Sequence, residues 1–160
     1  MPTIKIHAEV FNDLDLCLKK KWYKTLGEEM PRVCRLLMHD LRLPGESLVR
    51  YIKLQILQNK TFHARINLPE ENIGKQAGSR IIFVKEDPNL IKVIYVGGHK
   101  DKRYDDSNLA VPLIEDRYQD ARYVDYFEGI NFLDQSSQTW SKNKILRFFA
   151  EIVPAKKLGE

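Results

Sequence analysis

The sequence predicts an α+β domain: an N-terminal helical hairpin packed on a small, mostly antiparallel β-sheet, with a C-terminal extension. Three observations carry that expectation. Apolar residues recur at helical spacing across most of the first forty positions. Three β-rich runs separated by turn residues follow, and the last third is rich in aromatics. A chain of 160 residues can bury roughly two-thirds of its unfolded surface in one domain and is too short for two ordinary ones. Residues 1–106 are read as the main unit and 107–160 as an extension packed on it, the two forming one compact body.

The elements follow in order. TIKIH alternates Ile4 and Ile6 with polar neighbours, the period of a short strand. From Ala8 to Lys24, Val10, Phe11, Leu14, Leu18 and Trp22 recur at helical spacing, and Gly27 punctuates the end. Pro31 suits the first turn of a second helix, where its missing N–H costs little. That helix carries Val33, Leu36, Leu37 and Leu41 and closes at LPGES. FHARINL, SRIIFVKE and LIKVIYVGG read as three strands, and the short EDPN link predicts that the last two pair as an antiparallel hairpin. The longer link PEENIGKQAGS does not fit the phosphate-loop pattern G-x-x-x-x-G-K-[ST]. Residues 117–160 hold eight of the 16 aromatics, too many for a disordered tail, and are expected to pack on the helical hairpin. Within them Ser141 is placed to cap a last helix carrying Ile145, Phe148, Phe149 and Ile152.

Composition narrows the function classes. With 43% hydrophobic and 30% charged residues the chain belongs to the globular class, and no apolar run approaches the roughly 20 residues of a membrane helix. The first residues lack a signal peptide's apolar core, so a cytoplasmic location is expected. Cys17 and Cys34 each sit inside a helix-like pattern, which predicts buried free thiols and not a disulfide or zinc site. The four histidines, His7, His39, His63 and His99, show no ligand-like spacing, so neither metal nor cofactor is expected. The charge is uneven. Residues 50–104 hold 11 Lys/Arg against 5 Asp/Glu, whereas 105–160 hold 7 against 10. A basic middle third points to a polyanionic partner there.

Chemistry concentrates in LIKVIYVGGHKDKRYDD, where an apolar run stops at two glycines and delivers His99, Lys100, Lys102, Arg103 and Tyr104. Strand alternation allows Arg65 and Arg80 to share a sheet face near that end. Arginine binds phosphate bidentately, and histidine exchanges a proton near neutrality. Tyrosine stacks on a base or donates to phosphate. Such a set suffices to cleave RNA without a metal: a base takes the 2′-OH proton, arginines stabilise the phosphorane, and an acid protonates the leaving 5′-oxygen. Each residue also has an ordinary reading. Strand arginines commonly pair with acids, His99 can be a turn residue, and Tyr104 can cover an edge.

The order strand, helical hairpin, three strands resembles the RelE/ParE superfamily of type II toxins. GKQAGSRIIFV resembles the family's glycine-rich turn and arginine-led strand, IKVIYVGGHKDKRY its last strand with a basic, aromatic tail, and FHARINL its short strand with a functional basic residue. The resemblance covers residues 3–106. It implies a toxin of a type II toxin–antitoxin system, an mRNA interferase cutting ribosome-bound mRNA and neutralised by a cognate antitoxin. It implies catalytic roles for Arg65, Arg80, His99 and Tyr104, and RNA-backbone contacts from Lys75, Lys100, Lys102 and Arg103.

Two departures qualify the resemblance. Family members end soon after the residue matching Tyr104, whereas this chain continues to Glu160. Asp101, Asp105 and Asp106 crowd the expected phosphate site and would repel RNA unless paired. Two alternatives therefore stand beside the nuclease: a ParE-like toxin directed at gyrase, and a non-toxic interaction domain on the same fold.

Overall fold

The structure is a computed structural model that describes residues 1–74 and 77–132. Lys75 and the helix expected after Ser141 lie outside the described residues. The fold is α+β: among the described residues, six strands form one mostly antiparallel sheet, with four helices. The helical hairpin does not open the chain. Strand β1 (Thr3–His7) comes first and runs straight into α1 (Ala8–Lys20), followed by α2 (Leu26–Met38). Next come β2 (Ser47–Leu48), a single 3-10 turn (Gln55–Leu57), β3 (Thr61–Ile66), β4 (Ser79–Asp87) and β5 (Leu90–Gly98). A short α3 (Lys102–Asp105), α4 (Ser107–Gln119) and β6 (Tyr123–Asp125) complete the order.

The sheet order is β2-β3-β4-β5-β1-β6. β2 to β5 form an antiparallel meander, and Asp87 and Leu90 flank the two-residue turn of the expected hairpin. β1 lies parallel to β5, from Thr3 opposite Leu90 to Ile6 opposite Val93, and antiparallel to β6. A parallel pair needs a long crossover, and the helical hairpin with the meander supplies it.

Both faces of the sheet are covered. On one, α1 and α2 bury Phe11, Leu14, Met30, Val33 and Leu37 against Ile4, Ile6, Ile81, Phe83 and Val93. On the other, α4 and the segment before β3 bury Val111, Ile114, Ile52 and Leu57 against Ile82, Val84, Ile94 and Tyr95. The chain after α4 returns to the hairpin side, where Phe132 stacks on Phe11 with ring centroids 5.6 Å apart. Among the described residues no helix is long and apolar enough to cross a membrane. Both cysteines are buried free thiols.

The helix boundaries differ from the sequence reading for local reasons. α1 stops at Lys21, whose left-handed backbone (φ 60°) lets its N–H close onto Cys17 and Leu18. α2 begins at Leu26, earlier than Pro31 implied, because the Glu71 carboxylate accepts both the N–H and the hydroxyl of Thr25 at the helix entrance. Gly27 is consequently a buried residue inside α2 and not a terminator, and Pro31 stands in the helix interior.

One buried ion cluster ties the two faces together. β1 ends where β5 continues, leaving the edge of β5 without a strand partner beyond Val93. Arg117 of α4 donates to the Ile94 carbonyl, and Asp13 of α1 accepts the Val96 N–H. Asp13, 1% exposed, takes two bonds from Arg117, at 2.6 and 3.0 Å, and one from Arg103 at 3.1 Å. Open backbone groups are thus satisfied by side chains from opposite faces.

Candidate functional site

The register of the meander builds the site. Arg65 of β3 stands directly opposite Arg80 of β4, and Arg80 opposite Gly97 of β5. On β3, Ala64 and Ile66 belong to the core on the hairpin side, so His63 and Arg65 belong to the face that α4 covers. The pairing of His63 with Ile82, a residue of the α4-side core, places it on that same face. Sequence alternation had put the two arginines together. It had not given His63 a role, although the spacing of His63 and Arg65 carries the same signal.

His63 is fixed at both ring nitrogens. Nε2 lies 3.0 Å from Ser47 Oγ on β2, and Nδ1 lies 3.2 Å from the Tyr104 hydroxyl on α3. Burial holds the His63 pKa below the usual histidine range, and the Arg80 and His99 charges lower it further. Tyr104 is the hub: its ring stacks on Tyr95 at 5.8 Å and meets the edge of His99 at 5.1 Å. Burial raises the Tyr104 pKa, against the opposing charge and hydrogen bond of Arg80. His99 Nδ1 pairs with Asp105 at 2.9 Å. The Arg80 guanidinium is largely buried and donates to the Ser79 carbonyl at 3.0 Å. Arg65 passes over Gly45, a residue at φ 65° whose missing side chain leaves room for the guanidinium.

The basic tail divides differently from the sequence expectation. Arg103 is engaged inside the fold, bonding Asp101 through Nε and Nη2 and reaching Asp13. Lys100 is exposed, with its ammonium 5.5 Å from the Tyr23 ring on the hairpin side, and Lys102 is exposed on α3. The three tail aspartates all have partners. Asp101 is held by Arg103 and by the Tyr95 hydroxyl at 2.9 Å, and Asp105 by His99. Asp106 caps α4 through the Asn108 N–H. Burial pushes the Asp101 pKa up, but the Arg103 hydrogen bonds and charge outweigh it and leave the carboxyl below its usual range.

The glycine pair serves close approach more than turning. A Cβ on Gly97 would overlap the Tyr95 hydroxyl, and one on Gly98 would lie 2.7 Å from the Tyr23 hydroxyl and 2.5 Å from the Gly78 carbonyl oxygen. Tyr95 takes the Gly98 N–H, and Tyr23 takes the Lys100 N–H. Two phenols therefore brace the strand end from which His99 emerges.

The chain matches no protein-family model, no curated protein and no solved structure. Function is therefore argued from the site alone. Its chemical capacity is that of two imidazoles in different electrostatic settings, beside two guanidiniums and a phenol. Such a group can move protons and bind a phosphodiester.

Proposed function

We propose that the protein is a RelE-like toxin of a type II toxin–antitoxin system, an endoribonuclease that cleaves ribosome-bound mRNA in the cytoplasm by metal-independent attack of the 2′-OH. The observation that carries this reading is the gathering of His63, His99, Tyr104 and the Arg65–Arg80 pair on one sheet face. The chain order of a strand, a helical hairpin and an antiparallel meander supports it.

The roles follow from the environments. His63, its pKa lowered by burial and neighbouring charge, takes the 2′-OH proton at Nε2 as the 2′-oxygen bonds to phosphorus, the substrate hydroxyl replacing that of Ser47. Arg80 and Arg65 stabilise the negative charge of the phosphorane. His99, paired with Asp105, gives a proton to the 5′-oxygen as the P–O bond breaks, leaving a 2′,3′-cyclic phosphate and a 5′-OH. Tyr104 orients both imidazoles. His63 is assigned the base because burial and the neighbouring Arg80 charge lower its pKa. Lys100 and Lys102 are free to meet the RNA backbone; Arg103 is held by its aspartates.

The test is induction in cells, with mapping of mRNA ends, and cleavage on programmed ribosomes by purified protein that has first been treated with EDTA and then freed of it. Arg80→Ala and His63→Gln are each expected to lower cleavage about 100- to 1,000-fold while remaining folded, the scale of losing one group that stabilises the transition state. Wild-type cleavage by a folded Arg80→Ala variant overturns the assignment. Filamentation with DNA damage, without mRNA loss, transfers the reading to a gyrase-directed toxin.

A further inference from the structure

Beside the candidate site lies a cleft that the cleavage chemistry leaves unused. It holds about 820 Å³ and runs from His63 and Tyr104 between α4 and the segment from Ser47 to Asn59. That volume is within the roughly 300–1,000 Å³ of small-molecule sites. Ile82, Val111 and Ile114 make an apolar wall, while the exposed Arg50, Asn59 and Asp105 also line it. Tyr51 lines the same cleft, 78% exposed and at φ 65°. A tyrosine in the left-handed region is uncommon, and such a conformation persists where the surroundings enforce it. Here Glu115 of α4 accepts the N–H groups of both Lys53 and Leu54, at 2.8 and 2.9 Å, and the Gln58 amide donates to the Ile52 carbonyl at 3.1 Å. The segment is pinned to α4, yet its phenol ring is presented to solvent instead of joining the core.

We propose that this cleft is a subsite for one unstacked nucleobase of single-stranded RNA, with Tyr51 as the stacking platform and Arg50 meeting the adjoining phosphate. The inference rests on the RNA-cleaving reading and adds the part of the substrate that is gripped: the base next to the cut phosphate. A base has an apolar π-face and a polar edge, which suits a slot with one apolar wall, one aromatic rim and a basic flank. His63 and Tyr104 line the cleft, so a nucleotide whose 2′-hydroxyl meets His63 lies against it. Stacking tolerates any base, so the subsite confers grip with at most a modest base preference.

The test uses the full chain and a fluorescein-labelled, 2′-O-methyl RNA decamer, which keeps its bases but lacks the attacking hydroxyl. Tyr51→Ala is expected to weaken binding about tenfold by anisotropy, the loss of roughly one base–aromatic stack. Tyr51→Phe retains binding, and the emission of Tyr51→Trp is quenched by the decamer but not by inorganic phosphate. Because Tyr51 is exposed, these variants keep the fold, which circular dichroism checks. Wild-type affinity in Tyr51→Ala, or no binding of the decamer by the wild type, overturns the proposal. The two readings fail separately. Tyr51-dependent binding without mRNA cleavage removes the nuclease and keeps the base subsite, whereas cleavage with a KM unchanged in Tyr51→Ala does the reverse.

Discussion

Tyr104 reaches most of the candidate site: the ring of His99, the Nδ1 of His63, the ring of Tyr95 and the field of Arg80. Removing its hydroxyl leaves the stacking intact but frees His63 at one nitrogen. Tyr104→Phe is therefore expected to lower the cleavage rate while leaving thermal stability nearly unchanged, and melting curves beside single-turnover rates check this. The pH–rate profile carries a sharper expectation. With the His63 pKa held below 6.5, the limb in which the base becomes neutral is centred below that value. An acidic limb centred above 6.5 would remove His63 from the role of base. The glycines obey steric reasoning alone. Gly97→Ala forces a Cβ onto the Tyr95 hydroxyl and is expected to cost about 1–3 kcal/mol, as overpacking does. Tyr95→Phe in the same chain should recover part of that loss, measured as a coupling in a double-mutant cycle.

At the scale of elements, the Asp13–Arg117 pair joins α1 to α4 through the unpaired edge of β5. Asp13→Ala strands the Arg117 guanidinium beside the core, while Arg103 keeps Asp101, and is expected to destabilise by about 3–5 kcal/mol in chemical denaturation, whereas Asp13→Leu with Arg117→Leu costs less. A loss under 1 kcal/mol in the single variant would show that water replaces the carboxylate. This cluster also explains what the sequence could and could not reveal. The meander was legible because its strands are β-branched, alternate and joined by a short turn, and the facing of Arg65 and Arg80 followed from that alternation. Arg103 reads as a phosphate ligand even though Asp101, two positions away, is its main partner; its second partner, Asp13, lies 90 positions away, and no local pattern announces that contact. α4 was hidden by Pro112 in its interior and by apolar residues that do not form a clean stripe. The base candidate His63 was visible in FHARINL, but its neutrality depends on burial beneath elements that local spacing does not place.

For the whole molecule, acid sensitivity follows from two histidines on opposite parts of the fold. His7, fully buried, takes the Glu9 N–H at Nδ1 and bonds Asp120 through Nε2. Burial lowers its pKa, the Arg117 and Arg122 charges act in the same direction, and Asp120 opposes them. His7 and His63 both sit below 6.5 in the folded state, so the unfolded chain binds more protons just below that pH. Their contribution to stability is complete above pH 6.5 and is lost as pH falls through their folded values. A second loss begins below about pH 4, as Asp101 and Asp120, lowered by their arginines, take up protons. Urea midpoints measured between pH 8 and 3 should fall in these two stages, and His7→Gln should flatten the first.

The parallel pairing of β1 with β5 has a consequence for the order in which the molecule comes into being. β1, first in chain order among the described strands, is an interior strand, and its two neighbours begin at Leu90 and Tyr123. During synthesis the meander can close on itself from local contacts, but β1 must wait for partners more than eighty residues behind it. Loop closure of that length makes its docking a late step of folding. The strand end bearing His99 is braced by Tyr23 from the hairpin that β1 leads into. A nascent chain still short of β5 therefore has no assembled candidate site, and on the proposed reading the ribosome making it meets that chemistry only after β5 has emerged.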